Sequence, residues 1–121
     1  MTNTDTRERR PLAYALFRTD KSDFLQPVET GRLNLLAESL GFELRGILIA
    51  ESDADFAPLF ASFELSGITA LLVPSVLHMT GWMNVVRQAV DVWTLDPPGR
   101  WPRHTAPGVA SGFLPSTGSE R

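Results

Sequence analysis

Short apolar runs alternate along this chain with segments of helical apolar spacing, and that alternation constrains the fold more than any other feature. Residues 12–18 read Leu-Ala-Tyr-Ala-Leu-Phe-Arg, a run too short and too unperiodic for a helix. Residues 45–51 and 68–74 repeat the pattern around Ile47-Leu48-Ile49 and Ala70-Leu71-Leu72, and residues 91–95 form a fourth run. Between the first two, Leu33, Leu36, Ala37 and Leu40 recur at i, i+3, i+4 and i+7, one apolar face of a helix. Phe56, Leu59, Phe60 and Phe63 do the same before the third run. Trp82, Val85, Val86, Ala89 and Val90 form a face before the fourth.

This order predicts an α/β domain, β-α-β-α-β-α-β, with an open, mainly parallel four-stranded sheet and helices on both faces. The punctuation agrees. A polar loop runs from Thr19 to Pro27. Gly41 and Gly67 stand where helix C-caps belong. Asp53 or Asp55 can cap the second helix, Pro58 fits its first turn, and Thr80 can cap the third. The third run is apolar on both faces, as a central parallel strand requires.

Composition limits the chemistry. A chain of 121 residues with 43% hydrophobic residues suits one core, residues 11–95. The absence of cysteine excludes disulfides, zinc-thiolate sites and a cysteine nucleophile. Residues 1–10 form a polar tail that reads as neither signal peptide nor membrane anchor, so a cytoplasmic location away from membranes is expected. Residues 96–121 hold five of the nine prolines and four of the nine glycines, and are expected to be a mostly disordered tail. The net charge is −3, but residues 11–95 carry ten acidic against five basic side chains. Such a core repels phosphate backbones, so direct DNA binding is expected to be weak or absent.

In parallel sheets ligands bind beyond the C-terminal strand ends. The residues there include Arg18, Thr19, Asp20, Ser22 and Asp23, then Glu51, Asp53 and Asp55, then Ser75 and His78. No loop has the closely spaced glycines of a phosphate cradle. Ser75, His78 and Asp20 are the residue types of a nucleophilic triad, although the plainer reading makes Ser75 a turn residue and His78 a loop residue. Asp20, Glu51, Asp53 and Asp55 are hard-metal ligand types, but capping and helix-dipole roles account for the acids near residue 53. No metal or cofactor is assigned. Arg18 suits a carboxylate or phosphate, the plainer reading being an ion pair with Asp20 or Asp23.

At these strand ends the chain resembles the catalytic domain of serine recombinases, the resolvase/invertase family, over about residues 12–95. Tyr14-Ala15-Leu16-Phe17-Arg18-Thr19-Asp20 is similar to the family's Tyr-Ala-Arg-Val-Ser-Thr-Asp. Ala57-Pro58 is similar to its Arg-Pro, and residues 72–81 are similar, with one residue fewer, to its Leu-Val-Val-x-x-Leu-Asp-Arg-Leu-Gly-Arg. The resemblance implies a resolvase-like or flavodoxin-like sheet and a strand-end pocket built on Tyr14, Arg18, Thr19, Asp20, Ser75 and His78. It also implies lost chemistry. The family's serine attacks a DNA phosphodiester while arginines stabilise the developing charge. Arg18 occupies the serine's position, Leu16, Ala57 and Leu77-His78 stand where charged residues should be, and Gly81 falls at or near the motif's last arginine. The family's dimerisation helix and helix-turn-helix module have no counterpart in the Pro-rich residues that follow.

The expected function is therefore that of a catalytically silent, resolvase-like interaction or regulatory module with a protein partner. Trp82 and Met83 are candidate contact residues, and a homodimer is possible. Two other readings stay open: a small-molecule or phospho-ligand binder at the strand ends, and an accessory partner of an active recombinase.

Overall fold

The computed structural model describes residues 10–21, 26–104 and 114–115. Strand β1 is Leu12–Arg18, followed by a 3-10 turn, Thr19–Lys21. Helix α1 is Gln26–Leu40, β2 Glu43–Ala50, α2 Phe56–Ser66 and β3 Ile68–Val73. A second 3-10 turn, Val76–Met79, leads to the one-turn helix α3, Met83–Val86. Strands β4 (Asp91–Leu95), β5 (Pro98–Trp101) and the two-residue β6 (Leu114–Pro115) complete the fold. The sheet order is β2-β1-β3-β4-β5-β6. The first four strands are parallel, while β5 and β6 add antiparallel. Among the described residues no helix is long and apolar enough to cross a membrane.

Burial explains the layers. In β3, Ala70 and Leu72 face one side while Leu71 and Val73 face the other, and all four are buried. On the first side α1 packs Leu33 and Ala37 over Ala13, Ala15, Ala70 and Leu72. On the second, α2 buries Phe56, Phe60 and Phe63 over Leu16, Leu71, Val73 and Val92. Removing each such Leu or Phe side chain from water is worth about 1.5–3 kcal/mol. Gly67 ends α2 at φ 75°, its N–H bonding the carbonyls of Glu64 and Phe63.

Four expectations need correction. First, the sheet does not stop at four strands. Beyond residue 95, β5 pairs with the open edge of β4, which would otherwise leave a row of backbone groups unpaired. Side chains hold it there: Trp101 packs on the core, Arg87 lies over its ring at 5.4 Å and donates from Nε to the Pro102 carbonyl at 2.7 Å. The Arg103 N–H donates to Asp91 at 2.6 Å. The domain boundary at 95 thus cuts through the sheet, and residues 1–9, 105–113 and 116–121 of the expected tails lie outside the described residues. Second, α1 begins at Gln26, because Pro27 fits a helical first turn where its missing N–H costs nothing. Third, Thr80 does not cap α3. Gly81 has φ 83°, which breaks any helix begun at residue 80, and the Thr80 hydroxyl donates to the Leu77 carbonyl instead. Fourth, Asp55 precedes α2 without a side-chain cap, and the Asp53 carboxylate accepts the Trp82 indole N–H at 2.8 Å.

Trp101→Ala is expected to destabilise the domain by about 2–4 kcal/mol, measured as a lower urea midpoint. An unchanged midpoint would show that β5 is not part of the cooperative fold.

Candidate functional site

The order β2-β1-β3 creates a topological switch point: connections leave the carboxyl ends of β1 and β3 in opposite directions. Open α/β sheets bind ligands at such a point, and here the parallel strands β2-β1-β3-β4 are followed by the antiparallel β5. The two strand ends bring together Arg18, Thr19 and Asp20 from β1 with Ser75 and His78 from β3.

Arg18 is the last residue of β1 and is only 7% exposed. Its guanidinium lies 5.5 Å from the Phe56 ring centroid. Its fork is met by one carboxylate, with Nε 3.0 Å and Nη2 2.7 Å from the two oxygens of Asp20. That bidentate bond holds the Asp20 carboxyl below its usual range. Asp20 itself is exposed to solvent in the 3-10 turn. The ion pair is the one with Asp20, but its cationic half belongs to the interior.

His78 is buried, not a surface loop residue. Its Nδ1 accepts the backbone N–H of Arg18 at 2.9 Å, and its ring lies 5.4 Å from that of Phe17. The bond fixes the neutral tautomer, with the proton on Nε2. Burial first, and the nearby Arg18 charge second, push its pKa from 6.5 down to about 4. The imidazole is thereby a structural acceptor joining the ends of β1 and β3.

The hydroxyls bond to the backbone. Ser75 accepts the Leu77 N–H at 3.3 Å, the turn role that its sequence position allows. Thr19 donates to the Ala50 carbonyl at 3.4 Å. With Nδ1 of His78 committed to Arg18, the triad geometry of hydroxyl, base and acid does not form among the described residues. The acids at residues 51, 53 and 55 make no metal-holding group with Asp20 there either. Ser22 and Asp23 lie outside the described residues.

Three candidates sit elsewhere. Tyr14 is in the middle of β1, its ring 6.0 Å from Phe63 and closed over Gly46, where an added Cβ would meet it at 2.8 Å. It does not reach the strand-end crevice, because its position lies four residues before the end of β1. Trp82 is half-buried, edge-on to Phe56 and Phe60 at 5.6 and 5.7 Å, and Met83 also packs against the core. Sequence reasoning missed a second polar group. Glu29 of α1 is 1% exposed, with one oxygen 3.3 Å from Arg32 and the other without a partner among the described residues. Arg32 also reaches Asp96 at the end of β4, at 3.2 Å. The i, i+3 spacing of Glu29 and Arg32 was the available signal. Cavities of about 280 and 360 Å³ share Thr69, Ala89 and Arg103 at the opposite edge of the sheet, and one of about 310 Å³ lies between α1 and Leu95.

Comparisons with protein-family models, curated proteins and solved structures found no match to this chain.

The His78 pKa sets a sign for acid stability. Its folded value lies below 6.5, so the unfolded chain binds the proton first. Stability is full above the unfolded value and falls as pH drops toward about 4, by about 3 kcal/mol in all. Urea melts between pH 7 and 4 measure the slope. His78→Asn, which keeps an acceptor near the Arg18 N–H, is expected to flatten it. An unaltered slope would remove His78 as its source.

Proposed function

We propose that this chain is a catalytically silent, resolvase-like domain that acts as an interaction or regulatory module. One observation carries the reading: among the described residues at the exits of β1 and β3, Arg18, Thr19, Asp20, Ser75 and His78 each have a partner within the protein. Arg18 stands at the position corresponding to the family's serine and is tied to Asp20. His78 holds the Arg18 backbone, Ser75 holds a turn, and Thr19 bonds the carbonyl of Ala50 at the end of β2. The kinship itself rests on the motif similarity at the exits of β1 and β3, supported by their adjacency at the switch point.

The reading takes the protein as cytoplasmic, acting on a protein partner or a second copy of itself. Excess acid over residues 11–95 favours protein over nucleic acid.

Pure protein incubated with supercoiled and linear DNA is expected to leave both intact and form no covalent adduct. Arg18→Ser is expected to stay inert, because a serine alone lacks the surrounding cations. Nicking or an adduct in the wild type overturns the silent reading. Recovery of a stoichiometric protein partner from the native host supports the module reading, and recovery of none counts against it.

A further inference from the structure

We propose that Arg18 is an anion receptor at the switch point, held closed by Asp20, and that a compact oxyanion, carboxylate or phosphate, opens it by taking the place of the Asp20 carboxylate. The inference goes beyond the silent-module reading and does not depend on the recombinase resemblance.

The receptor half is preorganised. Arg18 is buried, its backbone is pinned by His78, and its side chain lies over Phe56. An arginine fixed in this way loses little freedom on meeting a ligand, and its fork matches the two oxygens of a carboxylate or phosphate. Asp20 demonstrates that match, with both oxygens within 3.0 Å of the guanidinium.

The closing half is local and exposed. Asp20 sits two residues from Arg18 in a three-residue turn, and 38% of its side chain meets solvent. A rotation of one short side chain therefore uncovers the guanidinium without disturbing the sheet. One other group at this rim favours an incoming anion. Lys21 adds positive charge next to Asp20, whereas His78 is neutral and adds none. Glu51 and Asp53 follow β2 at the same edge and oppose every anion, an extended polyanion more strongly than a compact one.

Anion rescue tests this on the full chain. Melting temperatures are read in inorganic phosphate, in malonate and in chloride at matched ionic strength, so that general screening cancels. For Asp20→Ala, phosphate or malonate is expected to raise the melting temperature by about 5 °C over chloride at ten times Kd. The wild type is expected to respond less, because the ligand must first displace Asp20. The double variant Arg18→Met, Asp20→Ala is expected to lose the response. Comparing the phosphate and malonate arms identifies the preferred oxyanion. An Asp20→Ala response no greater than that in chloride, or one that survives loss of Arg18, overturns the proposal. NMR of the wild-type Arg18 Nε–H provides a readout independent of variant folding: a saturable shift with phosphate or malonate supports displacement, and no shift up to millimolar anion overturns it.

Discussion

Two-sided burial of β1 and β3 is the constraint on which the rest of the structure depends. Both strands lie inside the sheet, and Ala13, Ala15, Leu16, Leu71, Leu72 and Val73 are all essentially sealed from water. A sheet buried on both faces needs a layer on each. The small residues Ala13, Ala15 and Ala70 leave room for α1 to approach with Leu33 and Ala37. The larger Leu16, Leu71 and Val73 meet the phenylalanines of α2. Each strand carries this asymmetry in its alternation, so the two helices are not interchangeable.

The same burial explains the polar rim. Arg18 is the first charged residue after six apolar ones in β1, and it emerges where β1 and β3 diverge. A cation at such a depth needs a partner, and Asp20 supplies one from two residues away. His78 accepts an N–H that would otherwise be orphaned at the strand end, and can do so only while neutral. On the other side of the sheet, Arg32 links buried Glu29 to Asp96 and ties α1 to the exit of β4. Both rims are built around an arginine whose carboxylate partners come from the protein itself.

Much of the candidate site was legible in the sequence, because strand exits follow from where apolar runs end. Arg18, Thr19, Asp20, Ser75 and His78 do gather at one edge. Tyr14 does not, since motif similarity carries no information about depth along a strand. The burial of His78 was also hidden. Its neighbours in sequence, Leu77 and Met79, differ sharply in exposure at 57% and 1%, a contrast set by the 3-10 turn and not by hydropathy. Glu29 reads as an ordinary surface residue of an amphipathic helix until α1 is docked.

The apolar periodicities by themselves determined the α/β class, the first four strands and the faces of α1 and α2, because those patterns act over a few residues through local geometry and burial. Tertiary structure decided the rest. It extended the sheet through β5, where low apolar content and prolines argue for disorder until the edge of β4 supplies hydrogen bonds and Arg87 supplies a cover for Trp101. It also decided which polar groups are buried and with whom. Contacts such as Arg18 with His78, sixty residues apart, exist only once the strands are in order.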